Sequence, residues 1–283
     1  MKTTTYSDEE LDTQYNARAS VPDADLFIRR YAELTEVAKR TLLCVADVQY
    51  GSSPEETLDI YTSRVGSPVF VFIHGGYWRA LSKDDSGFMA PAMVEAGATV
   101  VALNYALAPA ASLDSIVHQI RSALAWIYLN IGAYGANREQ IFLCGSSAGG
   151  HLVGTLLQSD WQNHYGVPAA IVKGSIPISG LFDLQPLVKT HVNEWLRLDP
   201  ASAVRNSPAL NRAGAGCDVL IAYAENDTDE FKRQSHLYGD VLLEAGGTVS
   251  IMEVANTNHF DVVFDLNNRE SQLHRAVIAM MKL

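Results

Sequence analysis

Apolar residues recur along the chain in two alternating patterns, one typical of strands and the other of helices. Short continuous runs such as Val69-Phe70-Val71-Phe72-Ile73 predict strands covered on both faces. Between such runs, apolar residues return at intervals of about three or four, most clearly over 113–131, which predicts a long amphipathic helix. Strands that alternate with helices predict an α/β fold with a mostly parallel central sheet and helices on both faces.

The same patterns give approximate bounds for the elements. Strands are predicted at 42–50, 57–61, 69–73, 99–103, 139–143, 172–178, 219–224 and 248–254. Helices are predicted over an N-terminal segment at about 8–40, with Asp23 as an internal N-cap, and at 87–96, 113–131, the residues after Ser147, and 270–281. No linker rich in proline, glycine and serine divides the chain, so we expect a single domain over 1–283.

One segment, at about 183–210, is longer than a simple crossover between strands requires. Its apolar residues from Leu184 to Trp195 fall at helical spacing, and Pro186 suits a first helical turn. We therefore expect a small helical insertion, similar to a cap, over the carboxyl edge of the sheet, where ligands bind in open α/β folds. An extra packing helix and a substrate lid are equal alternatives for its role.

The candidate chemistry begins at Gly145-Ser146-Ser147-Ala148-Gly149, which lies between a predicted strand and a predicted helix. A Gly-x-Ser-x-Gly sequence at such a turn is typical of a nucleophile elbow, which raises the serine hydroxyl above the sheet. A glycine-rich turn between two core elements is the alternative. Other residues must decide, because serine is a weak nucleophile without a base that is itself oriented by an acid.

The base and the acid are expected after Ser147 in the order acid, then histidine. His259 follows the last predicted strand and is the candidate base, whereas His151 is four residues past Ser147 on the same helix and is expected to pack. Asp227 lies directly after the strand at 219–224 and is the candidate acid. The alternatives for the acid are two neighbouring carboxylates, Asp229 and Glu225.

A further element is the sequence His74-Gly75-Gly76, directly after the strand at 69–73. Consecutive glycines allow backbone N–H groups to turn into a site, where they can stabilise the oxyanion of acyl transfer. The residue after the nucleophile, Ala148, supplies another N–H in such folds. A plain turn is the alternative reading of the two glycines. Together with the Ser-Asp-His order, the motif predicts a serine hydrolase that works through a catalytic triad and an acyl-enzyme.

Composition and charge restrict the partners. A net charge of −11 argues against nucleic acids and anionic membranes, and 48% apolar with 19% charged residues is typical of a soluble globular protein. No metal-ligand spacing is found, so no metal or cofactor is expected. Three widely spaced cysteines and an N-terminus without an apolar signal segment favour the cytoplasm. The expected partner is a small amide or ester substrate, and the sequence leaves open whether the chain is a monomer or a homodimer.

The motifs resemble the α/β-hydrolase superfamily, and within it the kynurenine formamidase (arylformamidase) branch. The resemblance rests on His74-Gly75-Gly76-Tyr77-Trp78, the elbow sequence with Gly150-His151-Leu152, Glu225-Asn226-Asp227, and Asn258-His259-Phe260. Related carboxylesterases usually have a third glycine where this chain has Tyr77. The resemblance implies an α/β-hydrolase fold, oxyanion donors at Gly76, Tyr77 and Ala148, and hydrolysis of N-formyl-L-kynurenine to formate and L-kynurenine.

Residues that bind the substrate are harder to infer. Gly75, Tyr77 and Trp78 are the candidates, because two bulky rings beside the oxyanion motif would narrow the acyl pocket and face an aryl leaving group. For Trp78, packing in the core is an equal alternative. Arg79 and Lys83 are the cations nearest in sequence, but the sequence identifies no partner for a substrate carboxylate.

Two rival functions accompany this prediction. A short-chain carboxylesterase of broad specificity would use the same triad and differ only in its acyl and leaving groups. A non-catalytic binding module on the same fold typically lacks a triad member, whereas this chain retains all three residue types in order.

Overall fold

One sheet organises the residues described by the computed structural model, which are 6–211, 214 and 216–283. Among these residues, the eight strands of the sheet are β1 (Cys44–Gln49), β2 (Thr57–Tyr61), β3 (Ser67–Ile73), β4 (Thr99–Leu103), β5 (Ala136–Ser146), β6 (Val172–Ile178), β7 (Asp218–Ala224) and β8 (Thr248–Val254). Their order across the sheet is β1-β2-β4-β3-β5-β6-β7-β8. β3 to β8 pair in parallel, whereas β2 pairs antiparallel with both β1 and β4.

The helices cover both faces of this sheet. They are α1 (Asp8–Gln14), α2 (Ala17–Ser20), α3 (Ala24–Thr41), α4 (Ala90–Ala96), α5 (Leu113–Asn130), α6 (Ala148–Leu156), α7 (Asn193–Leu196), α8 (Pro200–Arg205), α9 (Asp229–Glu244) and α10 (Gln272–Met281). Within the described part of the chain, none of them is long and apolar enough to cross a membrane.

The central strands divide the core into two apolar layers. All seven residues of β3 are buried; Val69, Val71 and Ile73 belong to one layer, and Phe70 and Phe72 belong to the other. Buried residues of α5, α6 and α9 pack in the first layer, and those of α3, α4 and α10 in the second. Because successive side chains of a strand point to opposite faces, a continuous apolar run is required where both faces are covered.

The N-terminal helices are tied to the core through Tyr15, which is fully buried between α1 and α2. Its hydroxyl donates to Glu230 Oε2 at 2.7 Å and accepts from Gln234 Nε2 at 2.9 Å. Its carbonyl oxygen accepts the hydroxyl of Tyr77 at 2.5 Å. These bonds join the N-terminal segment to α9 and to the loop after β3. Farther along, Asp23 precedes α3 as expected, but its side chain makes no capping bond.

The insertion is divided into short helical pieces. A 3₁₀ turn at Pro186–Lys189 ends at Thr190, whose backbone is extended, and α7, α8 and a second 3₁₀ turn at Pro208–Leu210 follow. The helical spacing between Leu184 and Trp195 is therefore not one continuous helix. Asp12 of α1 accepts from both the backbone N–H and Nδ1 of His191, at 2.5 and 2.6 Å, so the insertion is bonded to the N-terminal segment.

Candidate active site

Ser147 lies in the turn between β5 and α6, at φ 56° and ψ −118°. A non-glycine residue rarely adopts a positive φ, and such strain persists only where the surroundings impose it. Crowding around the turn requires its glycines: a Cβ on Gly149 would lie 2.0 Å from the Ile73 carbonyl oxygen, and one on Gly145 would lie 2.5 Å from the Gly149 oxygen. The Ser147 N–H donates to Ile178 O at 2.8 Å, which joins the turn to the end of β6.

Asp227 and His259 form a buried pair at the carboxyl ends of β7 and β8. His259 Nδ1 is 2.6 Å from Asp227 Oδ1, and the two side chains are 5% and 0% exposed. Because a carboxylate only accepts, Nδ1 carries the proton and Nε2 is the basic nitrogen. The imidazole packs against Phe231, with the ring centroids 4.3 Å apart. His259 and Ser147 line the same cavity, so the structure brings these three predicted residues together.

Ser179 also acts on this pair, and the sequence analysis missed it. It follows β6 at φ 46°, and its buried hydroxyl donates to Asp227 Oδ2 at 2.5 Å. The Ala224 N–H donates to the same oxygen at 2.9 Å. Both oxygens of Asp227 are therefore occupied, which orients the carboxylate toward His259. The available signal was a polar residue directly at the carboxyl end of a buried strand.

The loop after β3 lies directly against the serine turn. A Cβ on Gly75 would be 2.8 Å from the Ser146 oxygen and 3.3 Å from the Ser147 Cβ. Gly76 and Tyr77 both have positive φ, at 89° and 49°. Within the described ranges, neither of their N–H groups donates to a backbone carbonyl. Ala148 begins α6, and an N–H in the first turn of a helix has no partner inside the helix.

Tyr105 stabilises this loop. Its ring stacks on His74 at 4.1 Å between centroids, and its hydroxyl donates to the carbonyl oxygens of His74 and Gly75 at 2.9 and 3.3 Å. With these carbonyls held in place, the following N–H groups have a defined direction. Sequence reasoning did not identify Tyr105, because it lies far from the motif along the chain.

The cavity at this edge has a volume of about 810 Å³. Ser147, His259 and Gly75 line it. The N-terminal segment and the insertion also contribute to the lining, through Asn16, Ala17, Arg18, His191 and Trp195. Aromatic side chains form much of the wall, namely Tyr31, Phe72, Tyr77, Phe88 and Phe260. Within the described part of the chain, no group of three or more His, Cys, Asp or Glu side chains is arranged to hold a metal ion.

Comparison with known proteins identifies the family. The BD-FAE family model matches residues 58–191. The kynurenine formamidase of Danio rerio is 37% identical over 289 residues, which cover 97% of this chain and 97% of that protein. The chain belongs to the kynurenine formamidase family. The kynurenine formamidase of Salmo salar is also similar, at 35% identity over 95% of this chain and 93% of that protein.

A solved structure identifies the fold. A provisionally assigned thioesterase from Silicibacter sp. TM1040 matches with a TM-score of 0.82 and 27% identity, over 97% of this chain and 99% of that one. The mostly parallel sheet with helices on both faces is thus an α/β-hydrolase fold, and the protein is a hydrolase. Both sequence-based predictions are confirmed.

Of the three candidate substrate-binding residues, Trp78 lies away from the cavity that Gly75 and Tyr77 line. It is fully buried and is not among the residues that line the cavity. Its Nε1 donates to His151 Nδ1 at 3.2 Å, and His151 Nε2 donates to the Asn206 carbonyl at 2.7 Å. Of the two alternatives for Trp78, the structure supports core packing. Gly75 and Tyr77, by contrast, line the cavity.

His151 makes stability sensitive to acid. Burial lowers its pKa from 6.5 to about 4. Protonation of Nδ1 would also break the hydrogen bond from the Trp78 N–H, because two donors would then face each other with no acceptor. Between pH 6.5 and about pH 4, His151 binds a proton in the unfolded chain but not in the folded chain. The free energy of unfolding therefore falls as the pH falls. At about 1.4 kcal/mol per pKa unit, this one group costs about 2.5 kcal/mol at pH 4.5.

We expect His151→Gln to remove this share of the pH dependence, because an amide can accept from Trp78 and donate to Asn206 without titrating. Urea unfolding at pH 7 and pH 4.5 measures the loss for both proteins. His164→Gln is the control, since His164 is exposed. An equal loss of stability in His151→Gln and the unsubstituted protein would show that His151 is not responsible.

Proposed function

We propose that the protein is a serine-dependent arylformamidase that hydrolyses N-formyl-L-kynurenine to formate and L-kynurenine. The observation that carries the proposal is the buried Asp227–His259 pair, in which His259 lines the same cavity as Ser147 of the strained turn. The substrate follows from the relatives, since two kynurenine formamidases match nearly the whole chain at 35% and 37% identity.

The reaction proceeds in two halves. Ser147 Oγ attacks the formyl carbon while His259 Nε2 takes the hydroxyl proton. The C–N bond then breaks, His259 returns the proton to the aniline nitrogen, and L-kynurenine leaves a formyl ester on Ser147. Water attacks this ester, passes a proton to His259, and releases formate as Ser147 recovers its hydrogen.

Three N–H groups serve the oxyanion in both halves. We assign them to Gly76, Tyr77 and Ala148. Gly76 and Tyr77 lie in the loop after β3, which touches the serine turn, and Ala148 directly follows Ser147. Fixed donors in a site partly closed to water stabilise developing charge without reorganisation. Asp227 stabilises the imidazolium that forms on His259 and keeps its Nδ1 protonated.

The walls of the cavity suit an aryl leaving group. Tyr77, Phe88 and Phe260 line it, and aromatic rings prefer edge and offset contacts with one another. In this proposal Tyr77 takes the role that the sequence gave jointly to Tyr77 and Trp78. Gly75 contributes by its lack of a side chain, which lets substrate and loop approach the serine turn closely.

A short-chain carboxylesterase is the second candidate. The cavity of about 810 Å³ greatly exceeds the space that a formyl group needs, and the matched Silicibacter structure is provisionally a thioesterase. Both activities use the same triad chemistry, and the size of the acyl pocket decides between them.

A panel of N-formyl, N-acetyl and N-butyryl anilides with matched p-nitrophenyl esters tests the proposal. We expect kcat/KM for the formyl anilide to exceed that for the acetyl anilide by about 100-fold, and N-formyl-L-kynurenine to release formate. A flat profile, or one that favours butyryl groups, would contradict the formamidase and support the esterase.

We further propose that the chain acts as a single α/β-hydrolase domain in the cytoplasm. The domain proposal is supported by one continuous sheet whose two apolar layers involve helices from both ends of the chain. The compartment is supported by the cysteines, since Cys44, Cys144 and Cys217 are all free thiols.

A further inference from the structure

Arg79 lies at the cavity, two residues after Tyr77 in the loop that supplies the proposed oxyanion donors. It lines the same cavity as Ser147 and His259, and its side chain is exposed. The guanidinium carbon lies 4.6 Å from the centroid of the Trp195 ring, which places the cation over the indole face. Stacking of this kind uses the face of the guanidinium and leaves its in-plane N–H donors free.

Trp195 is itself held in place, so the arginine rests on a fixed support. Its Nε1 donates to the Tyr77 carbonyl at 3.0 Å, and its ring meets that of His191 edge to face at 5.7 Å. Tyr77 belongs to the loop that touches the serine turn. The position of the Arg79 guanidinium is therefore coupled to the site where the formyl group reacts.

The other nearby cations already have carboxylate partners. Lys83 is buried in ion pairs with Asp47, Asp59 and Asp84. Arg18 also lines the cavity, but it pairs with Asp25. For Arg79, no ion pair is found among residues 6–211, 214 and 216–283.

An unpaired cation is significant in a chain with net charge −11, because such a protein repels anions in general. An anionic substrate needs a local positive group that the acidic residues have not neutralised. A guanidinium matches a carboxylate with two parallel N–H···O bonds, and preorganisation on an aromatic face lowers the entropic cost of forming them.

We infer that Arg79, stacked on Trp195, binds the α-carboxylate of the substrate and so selects aryl formamides that carry an α-amino acid group. This inference rests on the proposed function and adds the group that recognises the far end of the substrate. Arg79 touches no reacting atom, so its contribution is to binding and not to the chemical step.

Binding to the Ser147→Ala protein tests the inference without turnover. Calorimetry compares N-formyl-L-kynurenine with its primary carboxamide, which retains the aryl formamide but has no carboxylate. We expect the carboxylate compound to bind about 10-fold to 100-fold more tightly, and Ser147→Ala/Arg79→Gln to bind the two compounds equally. Ser147→Ala/Arg79→Lys should recover part of the preference, since lysine keeps the charge but loses the paired donors.

Arg205→Gln in the same background is the matched control, because Arg205 lies outside the cavity lining and its charge is already engaged by Asp114. It should keep the full preference for the carboxylate. Equal affinity for both ligands in Ser147→Ala, binding of neither, or a preference that survives in Arg79→Gln would each overturn the inference. Failure of the proposed function gives a different result, since the unsubstituted enzyme would release no formate while the Arg79-dependent preference persisted.

Discussion

Replacement of Ser147 by alanine is expected to lower kcat by about 10⁵-fold or more on both formamides and esters, because no other group can form the acyl-enzyme. The fold should be retained. Alanine has the same Cβ and the same backbone requirement as serine, and the Ser147 N–H bond to Ile178 O is a main-chain contact. Steady-state kinetics measure the loss, and circular dichroism with urea unfolding checks the fold.

Ser146→Ala is the control for this variant. Ser146 directly precedes Ser147 within the elbow and also lines the cavity, but its hydroxyl has no proposed chemical role. It should keep activity within about tenfold, as expected for a small change beside a site. Substantial turnover of an activated ester by Ser147→Ala would remove Ser147 from its assigned role.

Replacement of Asp227 by asparagine is the second large effect, with an expected loss in kcat of about 10⁴-fold. Asp227 Oδ2 accepts from both Ser179 Oγ and the Ala224 N–H, so the asparagine carbonyl oxygen must take this position. Its NH₂ group then faces His259 Nδ1, which has to accept. The proton moves to Nε2, and the imidazole can no longer act as a base.

Asp229→Asn is the matched control, and it also tests one of the two alternative acids that the sequence left open. Asp229 is exposed at the start of α9, and Glu225 is exposed and accepts from the Asn256 N–H. We expect Asp229→Asn to retain activity within about twofold, since it lies outside the buried pair. A loss in Asp229→Asn comparable with that in Asp227→Asn would transfer the role of the acid.

Much of the sheet could be predicted because each strand leaves a local signal. The run at 172–178 coincides with β6, whose residues are all buried except Lys173, and the run at 248–254 coincides with β8, a mostly exposed edge strand in which apolar residues are interrupted by polar ones. The insertion was harder: helical spacing persists across Thr190, but its extended backbone interrupts the helix. Periodicity records which residues face the core and does not record where hydrogen bonding stops.

The functional site, like the sheet, could be predicted only where a residue leaves a local signal in the sequence. Ser147, Asp227 and His259 could be proposed from motifs because each lies at the end of a predicted strand, where parallel strands bring residues to one edge. Ser179 and Tyr105 act through contacts across the sheet, which no local pattern records. The neighbours along the chain were also misleading for Trp78, whose side chain points into the core although Tyr77 beside it lines the cavity.

The central claim is that Ser147 is the nucleophile, activated by His259 and Asp227. Labelling with a fluorophosphonate, followed by intact-mass measurement and peptide mapping, tests it most directly. The account predicts one phosphonyl group on Ser147, none on Ser147→Ala, and much slower labelling of Asp227→Asn. A label on another residue, or hydrolysis that continues in an enzyme that Ser147 labelling has saturated, would contradict it.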